Sequence, residues 1–233
     1  MAPRAVLFDA GGTLINPDYV RVSAVLQEHL GRAPEAGAFV AAEYAGRDAV
    51  EEAMARNGGR KDGDRWVLHI GAMFGDLGYS REEIARVAPH VVAEHKRANL
   101  WTVAQLGAIE GLAALRDAGY IVGVVSNADG TVDQLLAAAG FGPHLAFVVD
   151  SGAVGIEKPD PRIFDLALGL AGVAAAEALY VGDLYPVDVV GARGAGIEPI
   201  LLDPLARYGA RDCRTAPDVL TLCRELVAAR PAR

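Results

Sequence analysis

The 233-residue chain is 52% apolar and carries a formal charge of −8. That is enough apolar material for one large core, or one core with an insertion, and the acidic balance argues against nucleic acid as a partner. No run approaches the ~18 apolar residues of a membrane span, the opening "MAPRAVLFDAGG" shows no leader pattern, and Cys213 and Cys223 form no metal-like cluster and suit a reducing compartment, so the expectation is a soluble, cytoplasmic protein whose oligomeric state is not readable.

The first strand is expected in "RAVLFDAGG" (4–12), an apolar run that stops at an acid. Runs that are apolar throughout suit parallel strands covered on both faces. From about 17 to 97 the pattern is helical, in "DYVRVSAVLQEHLG", "EAGAFVAAEYAGRDAVEEAMARNG", "DRWVLHIGAMFGDLG" and "SREEIARVAPHVVAEHKRA". Ser80 and Glu83 form a capping box at the start of the last of these. The Gly- and charge-rich "RNGGRKDGD" (56–64) reads as a loop.

Beyond residue 97, strand and helix alternate. A helix over 108–119 closes at Gly119, a strand follows in "YIVGVVSNADG" (120–130), and a helix over 131–140 closes at Gly140. A strand in "LAFVVDSG" (145–152) precedes a helix opened by Asp160 and Pro161. Strands in "ALYVGD" (178–183) and "IEPILLD" (197–203) are followed by a helix over 215–230, opened by Thr215 and Pro217. The fold class is α/β: a Rossmann-like, doubly wound parallel sheet built from 1–16 and 98–233, with an inserted α-helical cap over 17–97. The cap is expected at the carboxyl edge of the strands, where open α/β sheets bind ligands.

Unusual polar residues end these strands. Asp9 ends the first, Ser126 and Asn127 the second, and Asp183 a later one, with Asp188 one loop further and Lys158 in "GIEKPDP". Each alone reads as a loop cap, a turn residue or a solvated charge. Together they converge on one edge of a parallel sheet, where the carboxylates repel one another unless a cation and Lys158 intervene. Mg²⁺ suits an all-oxygen site shared with a substrate phosphate. Asp9 then attacks phosphorus to form an aspartyl-phosphate, while Ser126 and the Asn127 N–H donate to the phosphoryl oxygens.

The motifs "FDAGGTL", "VVSNADG", "GIEKPDPRIF" and "YVGDLYPVDVVGARGAG" resemble, in order, the four motifs of the haloacid dehalogenase-like hydrolase superfamily. The resemblance covers 4–15 and 98–202, and the helical insertion is similar to the cap of the subfamily in which the cap follows motif one. It implies that Asp9 is the nucleophile and Asp183 a Mg²⁺ ligand, with Asp188 a second ligand or an outer partner. It further implies that the backbone carbonyl of Gly11 ligates the metal, that Ser126, Asn127 and Lys158 bind phosphate, and that the substrate is a small phosphorylated metabolite.

One position departs from that pattern. Family phosphatases place an acid where Gly11 stands, to protonate the leaving group and then deprotonate water, an effect of about 10²–10⁴-fold. Asp18, Tyr19 and Asp129 are candidate substitutes, each also readable as a structural residue. Three other functions tolerate the glycine. Haloacid dehalogenases put an aromatic residue there and lose the acids of motif four, which this chain keeps. A phosphonate (C–P) hydrolase needs a desolvated cap lysine, for which Lys61 and Lys96 are the candidates. A catalytically weakened regulatory or binding homologue is the third, against which stands the retention of Asp9, Lys158, Asp183 and Asp188. For substrate choice, Arg47 and Arg65 with Trp66 are cap candidates that otherwise read as helix face and core.

Overall fold

The computed structural model describes residues 3–57 and 62–230. In chain order, β1 (Ala5–Phe8) leads through β2 (Ile15–Pro17) into the helices α1 (Tyr19–Leu30), α2 (Ala36–Asn57), α3 (Asp62–Asp76) and α4 (Arg81–Arg97). The chain returns through β3 (Trp101–Ala104), which pairs with β2. There follow α5 (Ala108–Asp117), β4 (Ile121–Ser126), α6 (Val132–Ala138), β5 (Phe147–Asp150), α7 (Ser151–Val154) and α8 (Pro161–Ala171). Last come β6 (Ala178–Gly182), α9 (Val190–Gly194), β7 (Glu198–Leu202), β8 (Arg214–Ala216) and α10 (Val219–Ala229).

The main sheet has the order β5-β4-β1-β6-β7-β8 among the described residues, and each neighbouring pair is parallel. β1 lies at its centre with all four residues buried, which is why its sequence is apolar on both faces. Alternation across the pleat sends Ala5 and Leu7 into one core layer with Val125, Tyr180, Ile163, Phe164 and Ala167, so α8 covers that face. Asp160 caps α8 by accepting from the Arg162 N–H at 3.0 Å, with Pro161 as the first helical residue, as the sequence predicts.

The chain divides into two units. One takes it up to Asn16 and from Thr102 onward, and the other runs from Pro17 to Trp101. The second boundary falls after Trp101 and not after residue 97, because Leu100 is buried in the helical core and its carbonyl accepts from the Asp18 N–H at 2.7 Å. That core gathers Val22, Leu26, Phe39, Met73, Phe74 and Val87. The Ser80 hydroxyl accepts from Glu83 N–H at 3.2 Å and the Glu83 carboxylate from Ser80 N–H at 2.8 Å, a reciprocal cap that stabilises α4 by about 1 kcal/mol. No helix among the described residues is long and apolar enough to cross a membrane.

Two sequence expectations need correcting. Thr215 and Ala216, read as the opening of the last helix, belong to the strand β8; it pairs with the edge of β7 and satisfies backbone groups that would otherwise be left open there. The cap of α10 is therefore Asp218, whose carboxylate accepts from Thr221 N–H at 2.7 Å, while Thr215 and Pro217 precede the helix. The loop expected over 56–64 is also shorter, since α2 reaches Asn57 and α3 begins at Asp62. Its remainder, Lys61 included, lies outside the described residues.

Candidate active site

β1 stops at Phe8, and the Asp9 N–H still pairs with the Val181 carbonyl at 2.8 Å, so the Asp9 carboxylate emerges at the carboxyl edge of the sheet beside β6. The chain then turns sharply. Gly12 has φ +78°, and a Cβ there would lie 2.3 Å from Asp183 Oδ2. Glycine is therefore required twice over, for the left-handed backbone and for room against a carboxylate. Gly182 makes the same accommodation for the next acid, since a Cβ there would meet Asp188 Cγ at 2.3 Å. Gly11 pairs with Ile15 across this turn.

Lys158 reaches this edge from the segment before α8. Its side chain is 2% exposed, and its ammonium lies 2.5 Å from Asp9 Oδ1, 2.8 Å from Asp188 Oδ1 and 2.8 Å from the Tyr180 hydroxyl. An ammonium has three hydrogens, so these contacts use all of them. The Lys158 backbone is clasped by Asn127, whose Oδ1 accepts from Lys158 N–H at 2.7 Å and whose Nδ2 donates to the Lys158 carbonyl at 3.0 Å. The Asn127 side chain thus positions the lysine, a task distinct from the one expected of the Asn127 backbone N–H at the phosphate.

Asp188 sits in a π-helical turn, Tyr185–Val189, which swings its side chain back under the strand end. Its Oδ2 accepts from the N–H groups of Asp183 (3.2 Å) and Leu184 (3.0 Å), and its Oδ1 from Lys158 and from the Tyr180 hydroxyl (3.1 Å). The carboxylates of Asp9, Asp183 and Asp188, all buried, place ligand oxygens within 4.8 Å of one another. Burial, reinforced by Asp188 and Asp183 and opposed by Lys158, pushes Asp9 up to about 8. Burial works against the Lys158 charge, but Asp188 and Asp9 outweigh it and hold the lysine above its ordinary range. Burial, then Asp188 and Asp9, keep the Tyr180 hydroxyl protonated. The site has more negative charge than one ammonium balances.

Ser126 ends β4, 4% exposed and in register with Asp150. Asp150, not singled out from the sequence, ties the motif-two loop to β5 by accepting from the N–H groups of Gly130, Val132 and Gly152. Its signal was the same as that of Asp9, an acid closing a short apolar run. Tyr180 was also missed, because an aromatic residue within an apolar strand reads as core.

The candidates to replace an acid at Gly11 are each engaged by other groups of the unit they belong to. The Asp18 carboxylate caps α1, accepting from Val20 and Arg21 N–H at 3.1 Å. The Tyr19 ring stacks on Phe39 at 4.4 Å, and its hydroxyl donates to Glu43, which also pairs with His69. Asp129 accepts from the Thr131 hydroxyl at 2.6 Å. Lys96 is exposed and so lacks the desolvation that a Schiff-base amine needs. Arg47 and Arg65 are buried, Arg47 over the ring of Tyr44, and neither lies on a solvated helix face.

A family model described as haloacid dehalogenase-like hydrolase matches residues 3–196. Haloacid dehalogenase-like hydrolase domain-containing protein 3 of Bos taurus is 36% identical over 52% of this chain and 48% of its own length. Phosphoserine phosphatase of Thermus thermophilus is 35% identical over 62% of this chain and 56% of its own. The chain thus spans about half the length of the curated relatives it matches. Among solved structures, a magnesium-bound HAD-hydrolase of Bacillus subtilis superposes with a TM-score of 0.65 at 18% identity, covering 97% of this chain and 99% of the other. That similarity concerns the fold.

Proposed function

The chain belongs to the haloacid dehalogenase-like hydrolases, and from that premise we propose that it is a Mg²⁺-dependent phosphatase of small phosphorylated metabolites that works through a phosphoryl group on Asp9. The observation that carries this reading is the meeting of Asp9, Asp183 and Asp188 with the Lys158 ammonium at one edge of the sheet. The phosphatases among its relatives support the substrate class.

The residues present fit a hard divalent cation. The donors are all oxygens and they are close enough to share one ion, and three buried carboxylates face a single ammonium. Nearby, the buried Thr13 hydroxyl oxygen has no hydrogen-bond partner among the described residues. Asp9, Asp183, Asp188 and the Gly11 carbonyl would hold the ion. When bound, it neutralises charge on the phosphoryl oxygens and keeps Asp9 ionised.

The protein groups then divide the work. An Asp9 oxygen attacks phosphorus, and the bond from phosphorus to the leaving oxygen breaks, that oxygen taking the electron pair. Lys158 holds Asp9 in place and acts on the phosphoryl group through its charge, since its hydrogens are given to Asp9, Asp188 and Tyr180. The Ser126 hydroxyl and the Asn127 N–H, at the end of β4, are the proposed donors to the phosphoryl oxygens. Water then attacks phosphorus, releasing phosphate and restoring the Asp9 carboxylate. Pro17–Trp101 is proposed as the substrate-selecting unit.

With glycine at position 11, the leaving oxygen receives no proton from that position. Substrates whose leaving groups depart as stable anions (aryl, enol or acyl phosphates) are favoured over alkyl esters. The test is a panel of phosphate esters assayed with and without Mg²⁺, using wild type and Asp9→Asn. Hydrolysis that needs both Mg²⁺ and Asp9 supports the proposal; hydrolysis that persists in Asp9→Asn overturns it.

A further inference from the structure

We propose that Tyr180 is a positioning residue for the reaction: its hydroxyl is the third leg of a tripod that fixes the Lys158 ammonium against Asp9. The inference rests on the reading of Asp9 as nucleophile.

The need for a third leg follows from the geometry of an ammonium. Two acceptors, Asp9 Oδ1 and Asp188 Oδ1, leave the group free to rock about the line that joins them. A third acceptor removes that freedom, and here it is the Tyr180 hydroxyl at 2.8 Å. An oxygen that is to fix another group must itself be fixed. Tyr180 is fully buried within β6, its ring meets Phe164 edge-on at 4.9 Å, and its hydroxyl hydrogen lies between the Val125 carbonyl at 3.0 Å and Asp188 Oδ1 at 3.1 Å. The hydroxyl therefore joins β6, the end of β4 and the lysine in one hydrogen-bonded unit.

The choice of residue points the same way. In the run "ALYVG" every position is buried, and phenylalanine would fill the space of the ring equally well. Burying a hydroxyl is unfavourable unless its bonds are made, so the oxygen is retained for the polar contacts it makes. Those contacts are with the lysine beside the nucleophile and with the acid of motif four. Both carboxylates that hold the lysine also belong to the acid cluster that would hold the cation, and a bound ion would draw on their lone pairs. The neutral hydroxyl is outside that ligand set and has a second anchor, away from the carboxylates, in the Val125 carbonyl at 3.0 Å.

The experiment is Tyr180→Phe, which removes one oxygen and keeps the ring, assayed with an aryl phosphate and Mg²⁺ and crystallised alongside wild type. The tripod predicts a kcat lower by about tenfold, with KM within about twofold, because a displaced lysine misaligns the attack without removing a substrate contact. It also predicts that the ammonium moves off Asp9 Oδ1 in the variant crystal. A lowered Tm with unchanged kcat makes the hydroxyl a stability group only and overturns the proposal, as does a rise in KM alone. An ammonium that keeps its wild-type place overturns it whatever kcat does. Should wild type hydrolyse no ester, the phosphatase reading is what fails, and the two crystal structures alone decide the role of Tyr180.

Discussion

Lys158 stands 149 positions from Asp9 in the chain, yet its ammonium is buried against the Asp9 carboxylate at 2.5 Å. No local structure brings them together. β1 delivers the acid and the segment before α8 delivers the base, each to the same sheet edge, so the contact depends on the whole core unit being folded.

Removing that ammonium leaves three buried carboxylates facing one another. Lys158→Met is expected to lower the stability of the metal-free protein by about 3–5 kcal/mol, the usual result of stripping one partner from a buried charge pair. Urea unfolding in the presence of a chelator measures it. Added Mg²⁺ should recover part of the loss, because it supplies the missing positive charge.

The metal-free protein should also become less stable as pH rises. Asp9 has a folded value near 8 against an ordinary 3.8, so the folded state holds a proton that the unfolded chain has released between those limits. Its contribution is fully present below about pH 4 and is lost as pH climbs through about 8. Thermal unfolding in a chelator across this window should show the decline, and Asp9→Asn should flatten it.

The expectation for Gly12→Ala is a collapse of the cation site. The backbone there is left-handed, and the new methyl would sit 2.3 Å from an Asp183 oxygen. Calorimetric titration with Mg²⁺ should show binding weakened by about tenfold or more, with Asp183 forced from its place. Binding at wild-type strength would show that Asp183 is not a ligand.

Gly11→Asp asks the opposite question, whether the chain gains from an acid it lacks. A carboxyl there should raise turnover of alkyl phosphates by about 10²-fold while changing aryl phosphates little, because only the poor leaving group needs the proton. An unchanged ratio of alkyl to aryl rates would reject the leaving-group account.

Much of the site was legible in the sequence because its parts are strand ends. Asp9, Ser126 and Asp183 each close an apolar run, and in a parallel sheet that pattern alone sends them to one edge. Asn127 was legible as part of the site but not in its side-chain task, which depends on where the Lys158 backbone lies. Tyr180 was hidden for a related reason: within an apolar strand its ring looks like packing, and only the tertiary arrangement shows what its hydroxyl touches. β8 was hidden because its three residues have no strand pattern of their own and become a strand by pairing with β7. The late boundary after Trp101 reflects Leu100, an apolar residue whose choice between two cores is made by packing.

The account turns on Asp9 carrying the phosphoryl group. The measurement that tests this most directly is rapid acid quench of the enzyme during turnover of an aryl phosphate with Mg²⁺, borohydride reduction of any acyl phosphate, and peptide mass mapping. The account predicts conversion of Asp9 to homoserine, dependent on substrate and absent from Asp9→Asn. Turnover with no modification at Asp9, or with the modification at another acid, would contradict it.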